Sequence, residues 1–157
     1  MKFPEIDGNN LEEQPYHLPY DLEGELNLLI VPFKRWQQSL VDQWSVFLNE
    51  IASRYNFFKF YEIPTLAKSY KLMRFMIDGG MRAGIPNKEV RMRTITVYIN
   101  KTPFKKKLEI RDENNIYLFL VNKSGEILWR AEGGFSQDLA EDLAETLNSH
   151  LNSLNDI

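Results

Sequence analysis

The chain has 157 residues, of which 43% are hydrophobic, and a formal net charge of -3; this length suits one domain with one core. It contains no cysteine, which excludes disulfide bonds, thiolate nucleophiles and thiolate metal sites. The longest apolar run, at residues 26–33, is far shorter than the roughly 20 residues of a membrane span, so we expect no membrane insertion.

The first third of the chain predicts an extended region, a buried strand and a helix. Residues 1–25 hold short extended pieces between turn residues, which indicates an N-terminal extended or hairpin extension. Residues 26–33 are rich in Leu, Ile and Val, as is typical of a strand that is buried on both faces. Over residues 34–54, apolar side chains recur with helical spacing and predict an amphipathic helix. Its apolar stripe consists of Trp36, Leu40, Trp44, Phe47, Leu48 and Ile51.

The middle of the chain predicts a strand, a second helix and another strand. Residues 56–63 are aromatic and β-prone until Pro64 stops them. A helical stripe then runs over residues 67–82, and we expect it to be buried, because methionine-containing stripes are more often adaptable core than binding surface. Residues 89–100 alternate at first and then become apolar, which predicts a half-exposed strand entry. The stripe comprises Tyr70, Met73, Ile77 and Met81.

The positive charge is concentrated in the middle of the chain. Residues 54–107 carry 13 Lys and Arg against 3 Asp and Glu, so both flanks are acidic. Such a segment can be a surface for an acidic partner. We instead favour neutralisation within the fold by the acidic helices beside it. Since no compact Arg/Lys patch is interleaved with aromatic residues, we expect no nucleic-acid partner.

The last third predicts a hairpin and a closing helix. Two apolar runs over residues 116–131 flank the turn that ends at Gly125, whose lack of a side chain suits a left-handed position. Ser136 is a good N-cap for a helix over residues 136–152. The predicted fold class is therefore α/β, with a central mixed sheet of about five strands. Helices 34–54 and 136–152 should cover this sheet.

Two segments carry a family resemblance. The segment LPYDLEGELNLLIVPF leads into the predicted core strand, and YLFLVNKSGEILWRAEG forms the predicted hairpin. Both resemble the thioredoxin-like superfamily, in its branch of peroxiredoxin-like and thiol-reductase-like domains. More narrowly, FPEIDGNNL, the Trp-rich first helix and RTITVYINKTPFKKKLEI resemble the thiol-less assembly-factor family of the mitochondrial ATP synthase and its microbial relatives. The resemblance implies one thioredoxin-like domain of three layers over residues 1–157.

The resemblance also implies where a redox site would lie. Redox members place Trp-Cys-x-x-Cys where a strand meets a helix, because the helix N-terminus stabilises a thiolate. Matching Trp36 to that tryptophan puts Gln37 and Leu40 at the two thiol positions, and Ile116 at the position of the family's cis-proline. A chain with these residues is expected to lack thiol–disulfide oxidoreductase and peroxidase activity.

Other catalytic groups are sparse. His17 lies in an extended segment and His150 near the end of the last helix, without a second histidine or a metal-binding motif beside either. The glycine-rich GGMRAG follows a helix and lacks the Lys-Ser/Thr ending of a phosphate loop, so helix termination is favoured. We therefore expect no metal, no cofactor and no catalytic residue.

The strand-to-helix junction is the best candidate for a binding site. Its aromatic and amide side chains suit recognition of a partner, and we expect Gln37 to be exposed at the helix start. The alternative is that Trp36 belongs to the core and the glutamines only face solvent. The candidate binding residues are Phe33, Trp36, Gln37, Gln38, Ile116 and Tyr117, with Arg91 or Arg93 at the rim.

The function expected from this reasoning is that of a non-redox accessory factor in assembly or folding. Its partner would be a polypeptide segment or a subunit of a membrane complex. One alternative is an enzyme with a thiol-independent or external-thiol (glutathione-type) site, and another is an oligomeric scaffold whose partner is a second copy of the chain. The first ten residues show no signal or transit pattern, so we expect a soluble, cytoplasmic protein; a presequence already removed would leave no trace.

Overall fold

A computed structural model of the protein describes residues 1–155; residues 156 and 157 of the predicted domain lie outside it. Within that range the strands are β1 Ile6–Asn10, β2 Pro15–Leu18, β3 Leu26–Val31, β4 Phe58–Glu62, β5 Thr65–Ala67, β6 Ile95–Ile99, β7 Tyr117–Asn122 and β8 Ile127–Glu132. The helices are α1 Gln38–Arg54, α2 Arg74–Gly84, α3 Lys88–Met92, α4 Lys101–Lys107 and α5 Gln137–Asn155, and short 3₁₀ helices span Arg35–Gln37 and Lys68–Met73.

The most deeply buried sheet has the strand order β4-β3-β7-β8. Strand β3 runs parallel to β4 and antiparallel to β7, and all six of its residues are buried. Since successive side chains of a strand point to opposite faces, Leu29 and Val31 enter one apolar cluster while Leu28 and Ile30 enter another. The prediction of an internal strand buried on both faces is confirmed.

Helices α1 and α5 cover one face of this sheet. Trp44 and Leu48 of α1 and Leu143 of α5 are fully buried against it. The Ser136 hydroxyl accepts a hydrogen bond from the backbone N–H of Leu139 (3.2 Å), as expected of an N-cap. Both covering helices are therefore present close to their predicted ranges, although the first turn of the predicted helix 34–54 is 3₁₀ rather than α.

A second four-stranded sheet, with the order β2-β1-β6-β5, adjoins the first at the end of β4, where Glu62 forms a parallel bridge with Thr94. The thioredoxin-like α/β class and the N-terminal hairpin are confirmed, but the prediction of a single central sheet is wrong. The break occurs at Pro64, which has no N–H to continue a ladder. The chain leaves β4 there and resumes as β5 beside β6, where the Pro64 carbonyl accepts from the N–H of Val97 (3.0 Å).

Residues 67–100 differ most from the sequence-based prediction. The strand expected over residues 89–100 begins only at Ile95, because the Asn87 side chain caps α3 by accepting from the N–H groups of Glu89 and Val90. The apolar stripe of residues 67–82 was expected to be core, yet neither α2 nor the 3₁₀ helix before it contains a buried residue. Within residues 1–155, no helix combines the length and apolarity needed to cross a membrane.

Candidate functional site

The junction between β3 and α1 is organised by the side chain of Gln37. Its Oε1 accepts hydrogen bonds from the backbone N–H groups of Phe33 (2.8 Å) and Lys34 (3.1 Å). Its Nε2 donates to the carbonyl of Glu113 (2.7 Å). The side chain is fully buried, so each of these polar groups depends on it for a partner. At the first thiol position implied by the family resemblance, the chain thus has an amide side chain whose hydrogen bonds fix the conformation of the loop between β3 and α1.

A groove of about 890 Å³ opens between this junction and the α2–α3 segment. Its floor is the turn from β4 to β5, its first wall is the junction with the start of α1, and its second wall is α2 with α3. Apolar side chains predominate, as is typical of sites that bind an apolar group and orient it with a few polar contacts. Prominent among the apolar side chains are Phe33, Leu66, Met76, Ile77, Met81, Ile85 and Val90.

Three polar side chains meet at one part of the groove. The Nε2 of Gln38 donates to Glu62 Oε1 and to Asp42 Oδ1, both at 3.0 Å. Burial raises the pKa of Glu62 to about 7, against the opposing effects of the Gln38 hydrogen bond and the Arg93 charge. Near neutral pH this carboxyl therefore exists in both forms, of which only the protonated one can donate a hydrogen bond.

Helix α2 is held over the groove by a carboxylate. Asp78 accepts hydrogen bonds from the hydroxyl of Thr96 (2.9 Å) and the phenol of Tyr98 (2.6 Å), both on β6. Burial and the neighbouring Asp78 raise the pKa of Tyr98. Because α2 buries none of its own residues, this contact is the clearest anchor of the groove's second wall.

Part of the predicted binding set lies at the groove. Phe33 and Gln38 line it. Trp36 projects from the adjacent 3₁₀ helix with 57% of its surface exposed. The alternative that Trp36 is the first core residue of the helix is therefore wrong. The ring of Phe33 also reaches Tyr117, at 6.3 Å between centroids.

Other members of the predicted binding set are buried or engaged in contacts within the fold. Gln37, Ile116 and Tyr117 are buried, so the expected exposure of Gln37 is wrong. The predicted rim arginines are engaged in α3 packing. Arg91 donates to Glu12 (2.6 Å) and to the carbonyl of Ile85, while Arg93 stacks over the Phe60 ring at 4.3 Å.

Sequence reasoning missed Glu62 and the whole second wall of the groove. Glu62 had a usable signal, since an acid at the end of an aromatic strand, just before Ile-Pro, must either be neutralised or face a cavity. The second wall had no such signal in the sequence, because helical periodicity does not reveal what an apolar stripe contacts. Among residues 1–155, no three His, Asp or Glu side chains converge so as to hold a metal ion.

Three solved structures show the same fold. BsSco, a member of the Sco family of cytochrome c oxidase assembly proteins, has 13% identity over 92% of both chains and a TM-score of 0.62. The exposed lipoprotein thioredoxin Etrx1 of Streptococcus pneumoniae has 12% identity over 93% of this chain and 99% of that chain, with a TM-score of 0.60. StoA of Bacillus subtilis has 18% identity, covers 92% and 97%, and has a TM-score of 0.57. At these identities the likeness establishes the fold alone.

Sequence comparison identifies the family. No curated protein matches the chain by sequence similarity. The model of the family described as ATP10 protein, however, matches residues 1–150, which is nearly the whole chain and includes the junction, the groove and α2. The protein therefore belongs to the ATP10 protein family, and its resemblance to the ATP synthase assembly-factor family is confirmed.

Proposed function

We propose that this protein is a non-redox assembly factor for ATP synthase that holds an apolar polypeptide segment of the complex in the groove between the β3–α1 junction and α2. Membership of the ATP10 protein family supports ATP synthase as the complex that the protein helps to assemble. The absence of cysteine from the whole chain supports a role that depends on binding rather than on thiol exchange.

The observation that carries this proposal is the groove itself. The strand-to-helix junction of an open α/β fold forms a crevice whether or not a nucleophile stands there. Here the two thiol positions hold the buried Gln37 and the half-buried Leu40, yet the crevice beside them is open and lined by apolar side chains. A site without a reacting group but with a large apolar wall is suited to binding.

The lining indicates what kind of segment would fit. Its volume is within the range of roughly 300–1,000 Å³ that is typical of binding pockets, which is room for a few side chains rather than a folded domain. The apolar wall favours hydrophobic residues in the segment. The polar group formed by Gln38, Asp42 and Glu62 favours one hydrogen-bonding or cationic side chain beside them.

Glycines in the second wall allow a matched test. Gly80 lines the groove while its neighbour Gly79 does not, and a Cβ added at either position meets nothing within 4 Å. Gly80→Trp should therefore fill the groove without disturbing the core, and Gly79→Trp should place the same side chain on the same helix outside it.

The measurement is a titration of labelled peptides that tile the membrane-embedded subunits of ATP synthase. We expect at least one peptide to bind the unaltered protein and Gly79→Trp equally, and to bind Gly80→Trp at least about tenfold more weakly. Binding of no peptide, or equal loss in both variants, would overturn the proposal.

A cellular readout complements the titration. In cells that lack the protein, Gly80→Trp should restore less assembled ATP synthase than Gly79→Trp, at equal levels of the two variant proteins. Equal restoration by both would show that the groove is not used in assembly.

A further inference from the structure

The segment before and at the start of α2 exposes large apolar side chains to an unusual degree. Leu72 is 99% exposed and Phe75 is 70% exposed, whereas isolated apolar residues on a surface usually keep part of their area covered. We call this segment the basic apolar patch, and define it as Lys68, Tyr70, Lys71, Leu72, Met73 and Phe75.

The charges of the patch are of one sign. Lys68 and Lys71 are exposed, and the Arg74 guanidinium lies over the Phe75 ring at 4.4 Å. Within residues 1–155, none of these three cations forms an ion pair with a carboxylate, so the expected neutralisation by the acidic helices is not observed here.

The one acid in residues 68–84 does not offset this charge at the surface. Asp78 is the only Asp or Glu there, and both of its oxygens are engaged by Thr96 and Tyr98 on β6. That contact turns the carboxylate toward the sheet, so the patch presents cations and apolar groups without a neighbouring acid of its own segment.

The fold does not account for these side chains. The 3₁₀ helix and α2 contribute nothing to either apolar cluster of the core. The groove also leaves the patch unused, because the α2 residues that line it are other ones, such as Ile77 and Met81. A segment of polypeptide bound in the groove would therefore leave Leu72 and Phe75 uncovered.

We propose that the basic apolar patch docks on the surface of a membrane that contains anionic lipids. Leu72 and Phe75 would enter the headgroup region while Lys68 and Lys71 meet lipid phosphates, since basic segments with large apolar side chains bind at such interfaces. The lysine stems can lie along the apolar surface with the charge at the phosphates. This docking is peripheral, goes beyond the proposed groove function and needs none of its contacts.

The test is co-sedimentation of the full chain with vesicles. We expect binding to vesicles of phosphatidylcholine with about one-third phosphatidylglycerol, little binding to phosphatidylcholine alone, and weakening by added salt. Leu72→Ser with Phe75→Ser should weaken binding at least about tenfold through lost apolar burial. Lys68→Glu with Lys71→Glu should have an effect of similar size through charge.

Control substitutions change the same kinds of residue on other helices. Val46→Ser alters an apolar residue of α1 that is 78% exposed, and Lys106→Glu with Lys107→Glu makes the same change in net charge on α4. Both controls should bind vesicles as the unaltered protein does. The inference is overturned if the unaltered protein does not bind anionic vesicles. It is also overturned if both patch variants bind these vesicles as well as the controls do, even where the variants have lost binding to a protein partner.

Each of the two proposals can be overturned without affecting the other. Gly80→Trp should keep vesicle binding while losing the peptide, and the patch variants should keep the peptide while losing the vesicles. Loss of both ligands by the patch variants, with an unchanged thermal unfolding profile, would contradict a surface independent of the groove.

Discussion

Helix α1 and the segment of residues 68–84 have similar apolar spacing in the sequence but differ in burial in the structure. In α1 the stripe buries Val41, Trp44, Leu48 and Ile51 against the sheet. In residues 68–84 nothing is buried, and the apolar side chains face the groove or solvent. The comparison shows that periodicity predicts a face but not its neighbour.

The physical difference lies in what each segment has available to cover it. Helix α1 directly follows the central strand β3, so its stripe folds back onto the sheet. The later segment follows β5, which pairs at the sheet edge, and it meets the sheet mainly through the Asp78 contacts with β6. An apolar face left open in this way is available to ligands, which is the basis of both proposals.

The largest expected effect contrasts an aromatic residue from each region. Trp44→Ala removes a fully buried ring whose Nε1 donates to the Gly133 carbonyl (3.0 Å), and should lower the free energy of unfolding by about 3–5 kcal/mol. Phe75→Ala, on the exposed segment, should change it by no more than about 0.5 kcal/mol. Urea denaturation of both variants measures the difference, and a similar cost for the two would break the comparison.

The next effect concerns Glu62, which lies between the two regions. The folded pKa of about 7 exceeds the usual value of 4.5, so the folded state binds more protons than the unfolded state between these pH values. Stability therefore falls as pH rises through this window. Glu62→Gln cannot ionise, and should be more stable than the unaltered protein by about 2–3 kcal/mol above pH 7 while matching it below pH 4.5.

Thermal or denaturant unfolding across this pH range tests the Glu62 prediction. Glu50→Gln is a suitable control, because Glu50 is an exposed residue of α1 paired with Arg54. The control should show no such gain above pH 7. A gain for Glu62→Gln that is equal at every pH would contradict a shifted titration as the cause.

The part of the fold that followed from sequence is the part that is locally encoded. The apolar run of β3, the Ser136 N-cap and the glycine turn at Gly125, which has a φ of 83°, each carry their own chemistry. The division into two sheets depends on where β5 pairs after Pro64, which is a long-range choice. The helix α3 replaced a predicted strand because the Asn87 cap outweighed a short alternation.

The candidate site was predictable only in part for the same reason. The position of the groove at the junction followed from the fold, and Phe33 and Gln38 do line it. Adjacent glutamines cannot be told apart by type, yet Gln37 is buried and Gln38 is exposed. The second wall depends on α2 being held over the groove by Asp78, a contact between residues that are distant in the chain.

The two glutamines give the third test. Gln37→Leu leaves the N–H groups of Phe33 and Lys34 and the carbonyl of Glu113 without their partner, and should cost about 1–3 kcal/mol. Gln38→Leu should cost less than about 1 kcal/mol, because its side chain is exposed and water replaces it. Equal costs in denaturant unfolding would show that Gln37 does not hold the junction.

The smallest expected effect tests whether α2 unfolds independently of the core. Gly79→Ala adds a methyl group into open space and should favour the helix by about 0.5–1 kcal/mol. Because α2 adds nothing to the core, we expect slower amide exchange in α2 with almost no change in global stability. A full gain in the global free energy of unfolding would mean that α2 unfolds together with the core, contrary to the open segment described above.

Chemical-shift mapping with a peptide that binds tests the central claim, that the groove is the binding site, most directly. We expect perturbed amides on both walls and the floor, at Phe33, Thr65, Ile77 and Val90, with α5 unperturbed because none of its residues lines the groove. Perturbations confined to α5 and β8, with the groove residues silent, would contradict it.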